Sequence, residues 1–411
     1  YSILGVALLL PSPFYEGVLP LLSIAGICWI IQKNYRELPR LLYKKQVLLP
    51  AVLYLYIAAG FFFSENSRRA LSSLSTMLPL ILFPLFIGTS SSISRSLICR
   101  INIFFLASVI ITLLYAVLHN AINIFISGVD NVRVLDSYYH KLSSFGLTSV
   151  YHNWHPTYAA VFANMGIVIL IHLYFSSKQP PSFVQKSAVF LVFLFLSVCI
   201  FLLDSLIGIG TYFVLLLLLI KRGKEFNFLN TPSKRLIAVF ILVAGVLVLY
   251  INPMGNDKIA SLKTKALTIT DSQAERNLLT IRMAKWSVYY DIFTTKPLLG
   301  TTLGDIGDVR KEKYLEKGFN DLALHNYNAH NQYLEILATL GILGLAVFLM
   351  LLFYPLIKKE TDTLYAPFLI ICLITFCTES LLLRQQGILF FMFFYSVYTH
   401  SRLPGISSGR K

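Results

Sequence analysis

HNQYLEILATLGILGLAVFLMLLFYPLIKK, residues 330–359, decides the fold of this chain. Past a polar opening, the run stays apolar until Pro355 and the paired Lys358 and Lys359. A helix crossing the hydrocarbon of a bilayer needs about 20 predominantly apolar residues, and residues 331–356 supply them. Comparable runs lie near 17–32, 47–63, 71–89, 100–126, 156–175, 186–203, 205–220, 236–251, 364–380 and 386–400, with an abbreviated one at 1–11. The composition agrees: of 411 residues 56% are hydrophobic and only 13% charged, against about a quarter charged in a soluble domain. These runs predict an all-α polytopic membrane protein of about 12 transmembrane helices. Residues 1–251 carry nine of them, 252–330 form one long connection with amphipathic helices, and 331–411 hold the last three and a tail. The chain opens on Tyr1, which predicts that a few leading residues are missing, and no cleavable signal peptide is read.

Lys and Arg in short connections set the orientation. Alternate loops hold Lys33, Arg36, Arg40, Lys44 and Lys45, then Lys221, Arg222, Lys224, Lys234 and Arg235, with further cations at 90–100, 176–186, 357–363 and 401–411. The other short loops hold only Arg68, Arg69, Arg133, Lys141 and Arg384. The first set is predicted cytoplasmic, which places 252–330 outside. The net charge of +15 is thus partly a topology signal. Basic runs do not alternate with aromatics, so a nucleic-acid partner is not expected. Cys28, Cys99, Cys199, Cys372 and Cys377 form no C-x-x-C pair and avoid the outer loops, so neither a disulfide nor a thiolate metal site is expected.

The ionisable residues near the membrane favour the outer side. They include Arg68 and Arg69 in SENSRR, His152 and His155 in HNWHPTY, Asp204 in FLLDSLIG, and Glu379 and Arg384 in TESLLLRQQG. His155, before Pro156, either caps a helix or belongs to a polar site. Asp204 is the single charge between two apolar runs, and a carboxylate there calls for a partner, an arginine being the natural one. In ERNLLTIRMAKWSVYYDIFTTKPLLG, residues 275–300, the spacing of Leu278, Ile281, Trp286, Tyr289, Ile292 and Phe293 predicts an amphipathic helix on the outer leaflet. Arg282 is then either an interfacial cation or a binding group. PLLGTTLG, 297–304, gives a glycine turn with a weak phosphate-nest signal. His330 and Asn331 mark re-entry into the membrane, amid His325, Asn326, Asn328, Gln332 and Glu335.

Three classes of function compete. A metal site needs helix-face or D-x-D spacing that these residues lack. A secondary transporter places ionisable groups near the midplane within repeated halves, whereas here they lie at one edge, His119 being the nearest exception, and the halves differ. An enzyme acting at the outer boundary on a lipid-linked anion accounts for the one-sidedness. Guanidinium groups bind diphosphate oxygens in pairs, and an imidazole can take a hydroxyl proton at neutral pH.

The order of R-x-x-x-W (Arg282 to Trp286), P-L-L-G-x-x-x-G (Pro297 to Gly304) and H-N-x-Y-L-E-x-L-x-x-L-G-x-x-G (His330 to Gly344) resembles the O-antigen ligase and polymerase family over nearly the whole chain. T-E-S-x-L-x-R-Q-x-G (Thr378 to Gly387) and H-x-x-H-P-T-Y (His152 to Tyr158) are similar to a variant in that family. The resemblance implies a GT-C-type glycosyltransferase of the bacterial inner membrane with its active site facing the periplasm. It would move a glycan from undecaprenyl pyrophosphate, without metal, cofactor or nucleotide and with inversion. The acceptor would be lipid A-core in a ligase or another lipid-linked glycan in a polymerase. His330 would be the general base, and Arg282 would hold the pyrophosphate. Asn331, Glu379, His155, His152 and Trp286 would support them. One departure stands out: where family members carry Ser-Arg near the start of the eighth span, this chain reads Asp204-Ser205-Leu206. Arg384, Arg276 and Arg69 are the candidates to substitute, with Asp204 as a partner that fixes one of them.

Overall fold

A computed structural model describes residues 26–32, 34–41, 44–89, 94–126, 142–151, 154–177, 180, 182–221, 278–359 and 361–400. Its helices are, in chain order, α1 (Lys45–Phe61), α2 (Ser67–Met77), α3 (Pro79–Gly88), α4 (Arg95–Ile126), α5 (Ser144–Thr148), α6 (Pro156–Ser176) and α7 (Phe183–Leu202). There follow α8 (Leu206–Lys221), α9 (Leu278–Thr295), α10 (Ile306–Glu316), α11 (Asn320–His325), α12 (Gln332–Ile357), α13 (Tyr365–Phe376) and α14 (Gln385–Thr399). No strand occurs among the described residues. Among the described residues five stretches are long and apolar enough to cross a membrane: Ser67–Gly88, α4, α6, α7 and α12. The predicted spans at 1–11 and 236–251, and most of 17–32, fall outside the described residues.

Local chemistry fixes the helix ends. The Ser182 hydroxyl accepts from the Gln185 N–H while the Gln185 side chain accepts from the Ser182 N–H, a reciprocal cap that starts α7. Asn66 caps α2 and Asn331 caps α12, each side-chain oxygen accepting first-turn N–H groups that would otherwise be orphaned. Pro156 opens α6, where a missing N–H costs nothing.

The chain divides into two compact units. In the first, α4 to α8 pack around the wholly buried middle of α6. The Asn164 amide donates to the Ala160 and Gly208 carbonyls at 2.9 Å each, and Tyr212 donates to Ser197 at 3.0 Å, so the polar groups of this core are tied between helices. The second unit contains α1 to α3 and α9 to α14.

Within the second unit the span decisive in the sequence is not one helix. Gly341 adopts φ 64° and ψ −169°, breaking α12. A break at membrane depth strands backbone groups that lipid cannot satisfy. The 297–302 turn satisfies them. The N–H groups of Thr301 and Thr302 donate to the Ala338 and Thr339 carbonyls at 2.9 Å, while the Pro297 carbonyl accepts from the Ile342 N–H at 2.9 Å. The Tyr56 hydroxyl, from α1, reaches the Leu340 carbonyl at 3.0 Å. The Thr301 and Thr302 N–H groups are therefore committed to the helix and are not available to an anion in a nest at PLLGTTLG. Gly341→Ala would set a methyl against the Leu298 carbonyl and hold an L-residue in a left-handed conformation costing about 1–2 kcal/mol. A lowered thermal midpoint of the detergent-solubilised protein is expected; an unchanged one would contradict the joint.

Candidate functional site

The site grows from α9. Ala284, Val288, Tyr289 and Ile292 are buried along one face and pack with Ile306 and Tyr314 of α10, Leu322 and Ala323 of α11, Ala329, and Ala338 of α12. Complete burial of a side chain such as Val288 or Ile292 contributes about 1.5–3 kcal/mol. The expected surface-lying amphipath is thus held against protein on one face. Its other face exposes Met283 and Tyr290, which are apolar too.

This packing fixes the segment ahead of α12. The Trp286 indole N–H donates to the Ala329 carbonyl at 3.1 Å, and Tyr314 donates to the Tyr327 carbonyl at 3.1 Å. Glu335, 1% exposed, accepts from the Ala329 N–H at 3.0 Å, from Ser380 at 3.2 Å and from the Tyr289 hydroxyl at 3.2 Å. Arg310 donates in turn to Tyr289 at 3.0 Å and to the Asn326 side chain at 2.6 Å. Burial, aided by Glu335, raises the Tyr289 phenol well above its ordinary range, so it keeps the proton it donates. A buried carboxylate with three donors is stable only as a complete set. Glu335→Gln places an N–H₂ against donors and is expected to cost about 1–3 kcal/mol. Thermal unfolding would show it, and an unchanged midpoint would mean that the network is slack.

Suspended from this network, His330 lies at a left-handed φ of 45°, and its Nδ1 is 3.1 Å from Glu379 Oε2. An ionised carboxylate only accepts, so this contact favours the tautomer with the proton on Nδ1 and a free lone pair on Nε2. Asn331 caps α12 and donates to the Cys377 carbonyl at 3.2 Å, drawing the Glu379 segment towards the same corner. On α9, Lys285 is buried and interacts electrostatically with both Glu379 and Arg282. Arg282 is half-buried and forms no ion pair among the described residues. Arg282, Trp286, His330, Asn331 and Glu379 therefore belong to one assembly, linked through Lys285 and Ala329. Two cations, an aligned imidazole and a shared carboxylate can bind an anion beside a base.

Arg69 donates to Asp308 at 2.6 Å and ties α2 to α10; the bonds from Asn66 and Arg69 hold that carboxyl below its usual range. Arg384 is exposed at the start of α14 and pairs with no carboxylate among the described residues. Arg276 and His152 lie outside the described residues. His155, in the first unit, is the N-cap of α6, its Nδ1 accepting from the Thr157 N–H at 3.2 Å. Asp204, also in the first unit, is 2% exposed at a left-handed φ of 50° between α7 and α8. A cleft of about 460 Å³ opens beside the α12 break, lined by Tyr56, Phe63, Lys296, Leu299 and Leu340 rather than by any of these candidates.

A family model described as O-antigen ligase matches residues 191–349. Over this stretch the chain is similar to the O-antigen ligase family. The match covers Arg282, the 297–304 turn, His330 and Gly344, and stops short of Glu379 and Arg384. A comparison with curated proteins finds no match. Beside this similarity stand the apolar helices, five of which are, among the described residues, long and apolar enough to cross a membrane, as a multi-pass membrane protein requires.

Lys285, Tyr327 and Arg310 were not singled out from the sequence, and Tyr289 only as an apolar position of the amphipathic helix. Lys285 alone left a signal: it stands three residues after Arg282, which on a helix places the two side chains on neighbouring positions of one surface.

Proposed function

We propose that the protein is an O-antigen ligase that transfers a glycan from undecaprenyl pyrophosphate to a sugar hydroxyl of lipid A-core, at the periplasmic face of the bacterial inner membrane, without a metal. The observation that carries this reading is the His330 to Glu379 contact of 3.1 Å beside a helix bearing Arg282, which forms no ion pair among the described residues. Glu379 holds the Nδ1 proton, so Nε2 takes the proton of the acceptor hydroxyl as its oxygen attacks the anomeric carbon. The glycosyl–phosphate bond breaks on the opposite face, which inverts the configuration. Undecaprenyl pyrophosphate leaves with the added negative charge, and Arg282 stabilises it in the manner of an oxyanion hole. The same chemistry with a lipid-linked glycan acceptor would make a polymerase.

Lipopolysaccharide from a deletion strain, resolved by gel, tests the choice of acceptor. Bare core with polymer retained on its carrier is the result expected of a ligase. Core bearing a single repeat unit would replace the ligase with the polymerase, and an unchanged ladder would contradict both.

A further inference from the structure

Among the described residues Lys285 is the one buried cation that the proposed chemistry has not used. It is 6% exposed, its Nζ lies 4.2 Å from the centroid of the Tyr327 ring, and it makes no ion pair among the described residues. The Tyr327 ring is itself 37% exposed and stacks on His325 at 5.3 Å, with the His330 ring 6.4 Å away. An aromatic face is a weak substitute for water around an ammonium, and a buried cation ordinarily requires a paired, hydrogen-bonded partner. The two charges that act on Lys285 are Glu379, whose carboxylate is engaged with His330, and Arg282, which repels it. Two mutually repelling cations three residues apart gain most when an anion with several oxygens arrives between them.

We propose that Lys285 is the second cation of the diphosphate site, kept beneath the Tyr327 ring while the site is empty and exchanging that ring for a phosphate oxygen when the donor binds. The inference rests on the glycan-transfer reading for the identity of the ligand. It adds a distinct property, a donor affinity that depends on the charge of one lysine. Burial, opposed by Glu379 and assisted by Arg282, lowers the Lys285 ammonium to about 8. The free site therefore loses this charge as pH rises through about 8. Among the described residues the groups that act on it are Arg282 on its own helix, Tyr327 from the segment before α12 and Glu379 from the segment after α13, with His325 and His330 against the Tyr327 ring. An arginine at this position would stay charged throughout.

The test uses the full-length protein in detergent, with inorganic pyrophosphate as probe and ligand-induced thermal stabilisation as readout, for wild type, Lys285→Arg and Lys285→Met at neutral pH and about pH 10. Wild type is expected to bind roughly tenfold more weakly at the higher pH, Lys285→Arg to bind alike at both, and Lys285→Met to bind roughly tenfold more weakly than wild type at neutral pH but equally at high pH. Unchanged binding in Lys285→Met, or the same alkaline loss in Lys285→Arg, would overturn the assignment. The unliganded midpoints show whether either variant is damaged, and a lysine that only props Tyr327 would move those midpoints without moving the pH dependence. Glycan transfer by the wild type is measured separately: intact, lysine-dependent pyrophosphate binding without transfer would sink the transferase reading and leave Lys285 as an anion ligand.

Discussion

His330→Ala is expected to reduce glycan transfer by about 10²- to 10⁴-fold, the usual contribution of a positioned acid–base group, with little change in thermal midpoint. The imidazole is partly exposed and meets the protein chiefly through Glu379, so its loss removes little packing. Alanine carries a Cβ as histidine does and enters the left-handed φ of 45° at a modest extra cost, histidine being enriched in that region. The segment also keeps its outside supports, since Trp286 and Glu335 both bind Ala329 and the Asn331 cap is untouched. Chemistry and stability should therefore separate. A folded variant that transfers normally would mean that the acceptor proton leaves by another route and that the His330 to Glu379 contact only shapes the loop.

Arg282→Lys is expected to lose about tenfold or more in kcat/KM for the donor, and Arg282→Ala about 10²- to 10³-fold, as when a donor to a developing negative charge is removed. The charge is conserved in the first variant, so the loss measures the planar fork, which meets two phosphate oxygens at once where an ammonium meets them as a point charge. The half-buried and unpaired setting of Arg282 makes that geometry matter. Were it a cation at the membrane surface, lysine would serve equally well and both variants would behave like wild type.

The helical architecture was readable because its signals are local. A run such as 332–357 declares itself by length and hydropathy, and its cap Asn331 stands at the predicted start, whereas the reciprocal cap at Ser182 begins its helix a few residues before the predicted 186. The break at Gly341 was not readable, because a glycine among apolar residues looks like any small residue in a span. Only the arrival of the 297–302 turn at its freed carbonyls shows the reason for it. The same limit applies to the site. Arg282, His330 and Glu335 belong to motifs, whereas the hydrogen bonds that join Glu335 to Tyr289 and Tyr289 to Arg310 connect residues far apart in the sequence with no spacing to announce them. Lys285 carried a spacing signal, but nothing in the order of residues shows that Tyr327 would cover it. Arg69 had the right charge on the expected side of the membrane, and its pairing with Asp308 becomes visible only once α2 and α10 meet.

The most direct measurement is transfer by the purified protein, given an undecaprenyl-pyrophosphate-linked glycan and lipid A-core in the presence of excess chelator, with His330→Ala run in parallel. The account predicts inverted product from the wild type, undiminished by chelator, and none above background from a folded His330→Ala. Equal product from both proteins, or product that appears only when a divalent metal is restored, would contradict it.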